Sequence, residues 1–478
     1  MLNYESSRIG MNRGKPRLWL QGRKAARSGF APGSRYTIRR VEQRRMLILA
    51  LDEDGDRVVS RKIKGGREHP VIDINSMQVL AVFDGCERVR VISQHLRIVI
   101  LPAVVALAEP ERLGRVRDKI GHQHPVLVGS LSHGGGVLSH ALHAGLRAAG
   151  VSARLAFANE VRPELLEQAA ACNDAWCEET VALAAPLQEL AFDPWAMRQL
   201  PKVEILEAGL PCSGASISGR SRRGLACAEA HPEVGHLVVP FLAVIAQVQP
   251  AIVVLENVKQ YLQTASMAIL RNQLRDFGYQ VHTALLQATD WNALERRERM
   301  CMVAVSEGIA FDFGELQRPE PQVRYIGEIL DEVAPNDPRW SAMTGLKAKE
   351  QRDRAKGSGF AMQIIGPTDT SCPVITKGYA KVRSTDPKLQ HPSDPDLLRQ
   401  FSVAEHARIK GVPEYLVDGL SQTIGHELLG QSICYTPFVA VGRLVGQALK
   451  RVAAPAAPVA VTVQTASSQP QLAASVCG

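Results

Sequence analysis

The chain has 478 residues, 45% hydrophobic and 22% charged, which allows about three domains with cores of their own and excludes a disordered or fibrous protein. No apolar run approaches the ~20 residues of a membrane span, and the first residues lack the apolar core of a signal peptide, so a cytoplasmic protein with no membrane partner is expected. Of the formal charge of +8, residues 1–45 carry twelve Lys/Arg against only Glu5 and Glu42, a basic arm on a nearly neutral body that points to a polyanion, most simply nucleic acid.

Residues 1–14 read as disordered. From Lys15 the alternation at Leu18/Leu20 and Tyr36/Ile38 predicts strands, with Ala31-Pro32-Gly33-Ser34 as a turn. MLILAL, PVIDI, MQVLAVF, RVRVI and LRIVILP are further strand candidates, so residues 15–105 read as a small all-β region. Within 15–50, the pattern RLWLQG…SGFAPGSRYTI resembles the SymE-like toxin module of the swapped-hairpin, AbrB-like class. That resemblance implies nucleic-acid binding, and the local basic excess agrees with it.

Residues 107–120 read as a charged, helical connector. The β/α alternation of a doubly wound α/β domain then occupies 121–310. Val126-Leu127-Val128 leads into Gly129-Ser130-Leu131-Ser132-His133-Gly134-Gly135-Gly136, followed by a helix ending at Gly150 and a second strand, ARLAFANE, ending in Glu160. Strand, glycine-rich turn, helix, and a strand with an acid at its tip form the plan of a nucleoside-cofactor site. The glycines let backbone approach the ligand, and the acid accepts hydrogen bonds from ribose hydroxyls. The turn has neither GxGxxG spacing nor GK[ST], which favours neither a dinucleotide fold nor a P-loop.

The third strand leads to Gly209-Leu210-Pro211-Cys212 and a loop of small residues, Ser213–Gly219, that ends in Arg220, Arg222 and Arg223. A cysteine at the C-terminal end of a buried strand, on a loop near cations, is placed for thiolate nucleophilicity. The nine cysteines are scattered without a CxxC pair, so no disulfide framework and no metal site is expected; Cys172 and Cys177 with His231 and His236 compose a zinc set only on paper. Further on, AIVVLEN brings Glu256 to the end of an apolar strand, where desolvation raises a carboxyl pKa toward a proton donor's range. The cluster Glu295-Arg296-Arg297-Glu298-Arg299 lies between two apolar strands, which favours an arginine pointing into a cleft.

Residues 311–400 are rich in Pro, Gly, Lys and Asp, with strand-like AMQII, CPVIT and GYAKV. Phe360 and Tyr379 stand among basic and small residues, as on a loop-rich nucleic-acid surface. Helical patterning returns over 401–451, and 452–478 is an Ala/Pro/Ser/Gln tail expected to be disordered.

From about 126 to 450 the chain resembles the DNA (cytosine-5) methyltransferase family. The motifs stand in the family's order: Gly209-Leu210-Pro211-Cys212, Glu256-Asn257-Val258, Arg297-Glu298-Arg299, Glu405-His406-Ala407-Arg408 with Gly411-Val412-Pro413, and Gly430-Gln431-Ser432-Ile433. The resemblance implies a Rossmann-like, S-adenosyl-L-methionine-dependent core over 121–310, completed by 401–451, with a small target-recognition region at 311–400. It implies that Cys212 adds to C6 of a cytosine flipped from duplex DNA, that Glu256 bonds and protonates N3, and that Arg299, with Arg297 nearby, holds O2 and phosphate. S-adenosyl-L-methionine is the implied methyl donor, held by Leu131, Gly135, Gly136, Glu160 and Ser432.

Several positions depart from the family pattern. Gly129-Ser130-Leu131 and His133-Gly134-Gly135-Gly136 replace Asp-Leu-Phe and Gly-x-Gly-Gly, so Leu131 stands for the aromatic beside the adenine. Glu204 replaces an Asp, Ser213 and Glu295 each replace a Gln, and Gln431 replaces an Asn, while Glu178 and Glu179 are candidates for the acid near the adenine. The implied partners are double-stranded DNA and a cognate restriction endonuclease, with the enzyme acting as a monomer. An RNA cytosine-5 methyltransferase of the same fold and a non-catalytic DNA-binding regulator are the alternatives; the long variable region favours DNA. A thiol hydrolase using Cys212 needs a histidine base, and no pattern around His231 or His236 supplies one.

Overall fold

A computed structural model describes residues 1–216, 223–357 and 361–454, with the side chain of Arg23 left aside. The loop after Cys212 lies partly outside the described residues, including Arg220 and Arg222, as do Phe360 and the tail from 455 onward with Cys477.

The N-terminal region is all-β and begins earlier than the sequence suggests. Ten strands form it: β1 (Asn3–Arg8), β2 (Gly10–Asn12), β3 (Lys15–Gln21), β4 (Arg35–Val41), β5 (Met46–Leu51), β6 (Arg57–Val58), β7 (Ser60–Lys64), β8 (Arg67–Ile74), β9 (Arg88–Gln94) and β10 (Arg97–Pro102). They make a six-stranded sheet in the order β1-β9-β10-β5-β4-β6 and a four-stranded sheet in the order β2-β3-β8-β7. Inward residues of both, among them Leu18, Leu20, Leu47, Leu49, Ile72, Val89, Val91 and Ile98, share one core. Residues 1–14 are therefore not a disordered arm: β1 pairs antiparallel with β9 from Asn3↔Ser93 to Arg8↔Arg88. MQVLAVF is not a strand either. Ser76 caps its start by accepting from the Val79 N–H, and Met77–Leu80 and Ala81–Phe83 form two helical turns.

The helix Val104–Gly121 is more than a connector. Arg112 on it is fully buried beneath the seven-stranded sheet that follows. Its guanidinium donates to Ser306 Oγ, Gln249 Oε1 and the carbonyls of Phe277 and Gly278, and lies 4.2 Å from the centre of the Tyr279 ring. Arg115, one turn on, donates to the Val203 and Gln249 carbonyls and to Glu204.

A third sheet has seven strands in the order β13-β12-β11-β14-β15-β17-β16. They are β11 (Val126–Leu131), β12 (Ala153–Asn159), β13 (Val181–Leu183), β14 (Ile205–Ala208), β15 (Ile252–Asn257), β16 (Tyr279–Gln287) and β17 (Glu298–Ser306). Only β17 runs against its neighbours, pairing antiparallel with both β15 and β16. This is the expected doubly wound sheet. The strands read as apolar runs because helices cover both faces. Glu204 sits at the foot of β14, fully buried, where it accepts from the Leu127 N–H as well as from Arg115.

The chain's last helix, Tyr435–Ala453, closes the domain by packing on Val137–Ala148 with the backbones nearly touching. A side chain at Gly145 would meet the Val439 carbonyl at 2.2 Å, and one at Gly442 the Leu142 carbonyl at 2.6 Å. Between these parts, β18 (Ile364–Ile365), β19 (Lys388–Gln390) and β20 (Leu398–Arg399) form a small fourth sheet. AMQII supplies β18. CPVIT contributes only an isolated bridge at Cys372, and GYAKV contains a single helical turn, Tyr379–Lys381. Tyr379 is buried with its hydroxyl donating to the Pro387 carbonyl, so it belongs to the core and not to a nucleic-acid surface.

Candidate active site

β14 and β15 are parallel neighbours, so Cys212 and Glu256 come to the same end of the sheet. After β14 the chain turns through Gly209-Leu210-Pro211 to Cys212, whose carbonyl accepts from the Ala215 and Ser216 N–H groups. Asn257 fixes this turn by donating from Nδ2 to the Leu210 carbonyl at 3.0 Å, while its Oδ1 accepts from the Val258 N–H. Gly209 lies beside the carboxylate, its Cβ position 3.9 Å from Glu256 Oε2.

Glu256 is buried, and desolvation raises its pKa above the ordinary value against the pull of Arg299, Arg297 and Lys410. Its Oε1 lies 3.0 Å from Arg299 Nε yet accepts no aligned hydrogen bond, which leaves acceptor capacity free. Burial and then Arg297 lower the Arg299 pKa, while Glu256 and Cys212 raise it, so sulfur, carboxyl and guanidinium lie within one another's field.

Arg297 is turned elsewhere. It donates to the Gly430 carbonyl at 3.1 Å and lies 3.7 Å from Glu295. Glu295 is the hub of a buried cluster: Oε2 accepts from Lys410 Nζ at 2.9 Å and from Cys434, and Oε1 from the Ile375 N–H. Burial works to raise the Glu295 pKa, but Lys410 and Arg297 overcome it and bring it down to about 2. This cluster ties the arginine strand, the 372–376 segment and the helix Val403–Lys410 together. A side chain at Gly430 would meet the Lys377 N at 2.3 Å, so the helix Gln422–Gln431 also depends on a close backbone approach.

The glycine-rich turn divides in an unexpected way. Leu131 is fully buried with Phe157, Leu206 and Ala208 in an apolar cluster, so it belongs to the core and does not line an open cleft. Gly135 and Gly136 are also buried, and their lack of side chains serves packing. A side chain at Gly135 would meet Leu428 at 2.3 Å, and one at Gly136 would meet Asn173 and His133 at 2.5 and 2.6 Å. Ser132 and Gly134 are the accessible residues, both with positive φ, and nothing stands within 4 Å of where a Gly134 side chain would be. Glu160 reaches this turn: Oε2 accepts from the Gly134 N–H at 2.9 Å, and Oε1 from the Val161 and Arg162 N–H groups. An accessible backbone turn, a carboxylate at the strand tip and the exposed Val161 beside it fit a nucleoside cofactor. Ser432 caps the helix Gln422–Gln431, its hydroxyl donating to the Leu429 carbonyl. Of the adenine candidates, Glu179 is paired with Arg154 and Glu178 is exposed.

Behind the turn lies a cluster the sequence reading missed. His133 Nε2 accepts from Trp176 Nε1, which puts the ring proton on Nδ1, 2.7 Å from Ser130 Oγ. Burial, with His143 nearby, lowers the His133 pKa to about 3, so the ring is neutral. Glu207 Oε1 is 4.0 Å from His133 Nδ1 and accepts no hydrogen bond. Burial pushes Glu207 up to about 8 against the Ser130 and Ser139 hydroxyls. The signal was available, since Glu207 is one acid inside the apolar strand ILEA. The paper zinc set does not assemble: among the described residues no three His, Cys, Asp or Glu are grouped to hold a metal. No single helix among them is long and apolar enough to cross a membrane.

The fold and these motifs agree with the comparisons. The family model described as C-5 cytosine-specific DNA methylase matches residues 142–446, and the chain belongs to that family. The match starts beyond the glycine turn at 133–136. Among curated relatives, the chain is 24% identical over 265 residues to the Type II methyltransferase M1.ScrFI of Lactococcus lactis subsp. cremoris, covering 53% of this chain and 65% of that protein. It is 26% identical over 262 residues to the Type II methyltransferase M.NlaX of Neisseria lactamica, covering 53% and 79%. Among solved structures, S. pombe Dnmt2 methyltransferase superposes with a TM-score of 0.51 at 18% identity, over 69% of this chain and 99% of that one. Entamoeba histolytica methyltransferase EhMeth gives 0.53 at 17% identity, over 68% and 99%. These structures share the fold.

Proposed function

We propose that the protein is a DNA (cytosine-5)-methyltransferase acting on a cytosine flipped out of duplex DNA. One observation carries this reading: Cys212, the buried Glu256 with its unsatisfied oxygen, and Arg299 meet at one end of the sheet.

C5 of cytosine is a poor nucleophile. Addition of the Cys212 thiolate to C6, with a proton passing from the Glu256 carboxyl to N3, makes C5 an enamine carbon without charge building on the ring. The raised Glu256 pKa, caused by its burial, favours the protonated carboxyl that this step needs. Arg299 donates to the base O2 and holds Glu256 in place, while Arg297 positions the strand through Gly430 and Glu295. Ser132, Gly134 and Glu160 would hold S-adenosyl-L-methionine, which supplies an electrophilic methyl group for C5. Loss of the C5 proton to solvent, with return of the N3 proton to Glu256, expels Cys212. C6 is inaccessible in a stacked duplex, so the base is extruded first. Residues 311–400 read the target sequence. A cytoplasmic monomer paired with a restriction endonuclease completes the reading.

The test is incubation of purified protein with mixed-sequence duplex DNA and labelled methyl donor. Wild type is expected to produce 5-methylcytosine and Cys212→Ser none; equal incorporation by both removes Cys212 as the nucleophile.

A further inference from the structure

The N-terminal region carries a feature that the catalytic chemistry does not use. β7 is exposed along its whole length, and with the start of β8 it forms a two-stranded ribbon turned by Gly65 and Gly66, both with positive φ. β8 pairs with β3 only from Val71 onward, so over Arg67–Pro70 its sole strand partner is β7. The register sets Lys62 opposite His69 and Lys64 opposite Arg67. Opposed residues in an antiparallel pair share a face, as do alternate residues along a strand. Lys62, Lys64, Arg67 and His69 therefore form one uniformly basic face, while Arg61, Ile63, Glu68 and Pro70 take the other.

On that other face Arg61 and Glu68 pair at 3.1 Å. On the basic face none of Lys62, Lys64 and Arg67 has an ion-pair partner among the described residues. Like charges set directly opposite each other repel. Protecting a sheet edge needs only an isolated charge on the edge strand, whereas here both strands contribute cations to one side.

The attachment of the N-terminal region lies away from the active site. Val105, in the first turn of the helix after β10, packs against Gly278 at the start of β16, and Arg112 bonds Phe277, Gly278 and Ser306. These are the strand ends opposite those bearing Cys212 and Glu256. The region is thus joined to the pole of the catalytic sheet away from the active site. Residues 1–103 hold twenty Lys/Arg against ten Asp/Glu, so this pole carries the chain's basic excess.

We propose that the Ser60–Pro70 ribbon is a second DNA-binding element, whose basic face engages phosphates of a duplex segment other than the one in the catalytic cleft. A two-stranded ribbon has the width of the major groove. The choice of duplex DNA rests on the proposed function of the cleft.

The test compares full-length wild type with the Lys62→Ala/Lys64→Ala/Arg67→Ala variant, reading the stoichiometry and salt dependence of binding to duplexes of about one helical turn. Wild type is expected to take up two duplexes and the variant one. The slope of log affinity against log salt is expected to fall by about 0.9 per lost contact. Lys62→Arg/Lys64→Arg/Arg67→Lys is expected to restore both, and methyl incorporation by the alanine variant to stay at the wild-type level. A wild-type stoichiometry of one, or a variant with unchanged salt slope, overturns the proposal. Ribbon-dependent binding without methyl transfer by any form would instead sink the enzymatic reading and leave the ribbon standing.

Discussion

Glu256 Oε1 and Arg299 Nε stand 3.0 Å apart across the β15–β17 pair, yet the carboxylate oxygen accepts no aligned hydrogen bond. The pair is close enough to hold its geometry and open enough to take a third partner. Glu256→Gln is expected to lower kcat for methyl transfer by about 10²–10⁴, the usual range for a positioned proton donor. Arg299→Ala is expected to cost about 10²–10³. Because the two act as a unit, the double variant should lose far less than the product of the single losses, which single-turnover methyl incorporation measures.

Asn257 acts one step back from the chemistry. It locks the Leu210 carbonyl and so the turn carrying Cys212. Asn257→Ala is expected to reduce kcat ten- to a hundredfold, roughly what a small misplacement of a reacting group costs, with cofactor binding retained. Comparing kcat with the calorimetric affinity for S-adenosyl-L-methionine checks this.

The Glu295–Lys410 pair is fully buried at 2.9 Å. Glu295→Gln leaves Lys410 without its counter-charge and is expected to destabilise the fold by about 3–5 kcal/mol. Glu295→Gln/Lys410→Met should recover most of that loss in chemical denaturation. Since the Glu295 pKa is lowered to about 2 from 4.5, its contribution is present above about pH 4.5 and disappears as pH falls through 2.

Glu207 works in the opposite sense. Its pKa is pushed up to about 8 from 4.5, so between these values the folded protein holds a proton that the unfolded chain has released. The associated stability is present in full below about pH 4.5, declines as pH rises and is gone above 8, on the order of 5 kcal/mol in all. Glu207→Gln is expected to flatten this part of the stability–pH curve, as melting temperatures between pH 5 and 9 would read.

Much of the catalytic domain was legible in the sequence because its signals are local. Apolar runs bounded by turns located β11, β12, β14 and β15, and short motifs located Cys212, Glu256 and Arg299. What escaped depends on contacts between distant segments. Gly135 and Gly136 look like ligand-facing glycines until Leu428 and His133 are seen against them. Leu131 occupies an aromatic's position in the motif but points into the core. Arg297 is indistinguishable from Arg299 in sequence, and only Gly430 and Glu295 separate their roles. At the N-terminus, β1 becomes a strand through pairing with β9, 80 to 90 residues away, which no local pattern announces.

The central claim is that Cys212 bonds covalently to a cytosine held by Glu256 and Arg299. Duplex DNA carrying 5-fluorocytosine tests it most directly, since fluorine at C5 blocks release of the cysteine after methylation. With methyl donor present, wild type is expected to form a denaturation-resistant protein–DNA complex whose digested peptide carries the nucleotide on Cys212, and Cys212→Ser to form none. Methylation of unmodified cytosine with no trapped complex, or a crosslink on any other residue, would contradict the account.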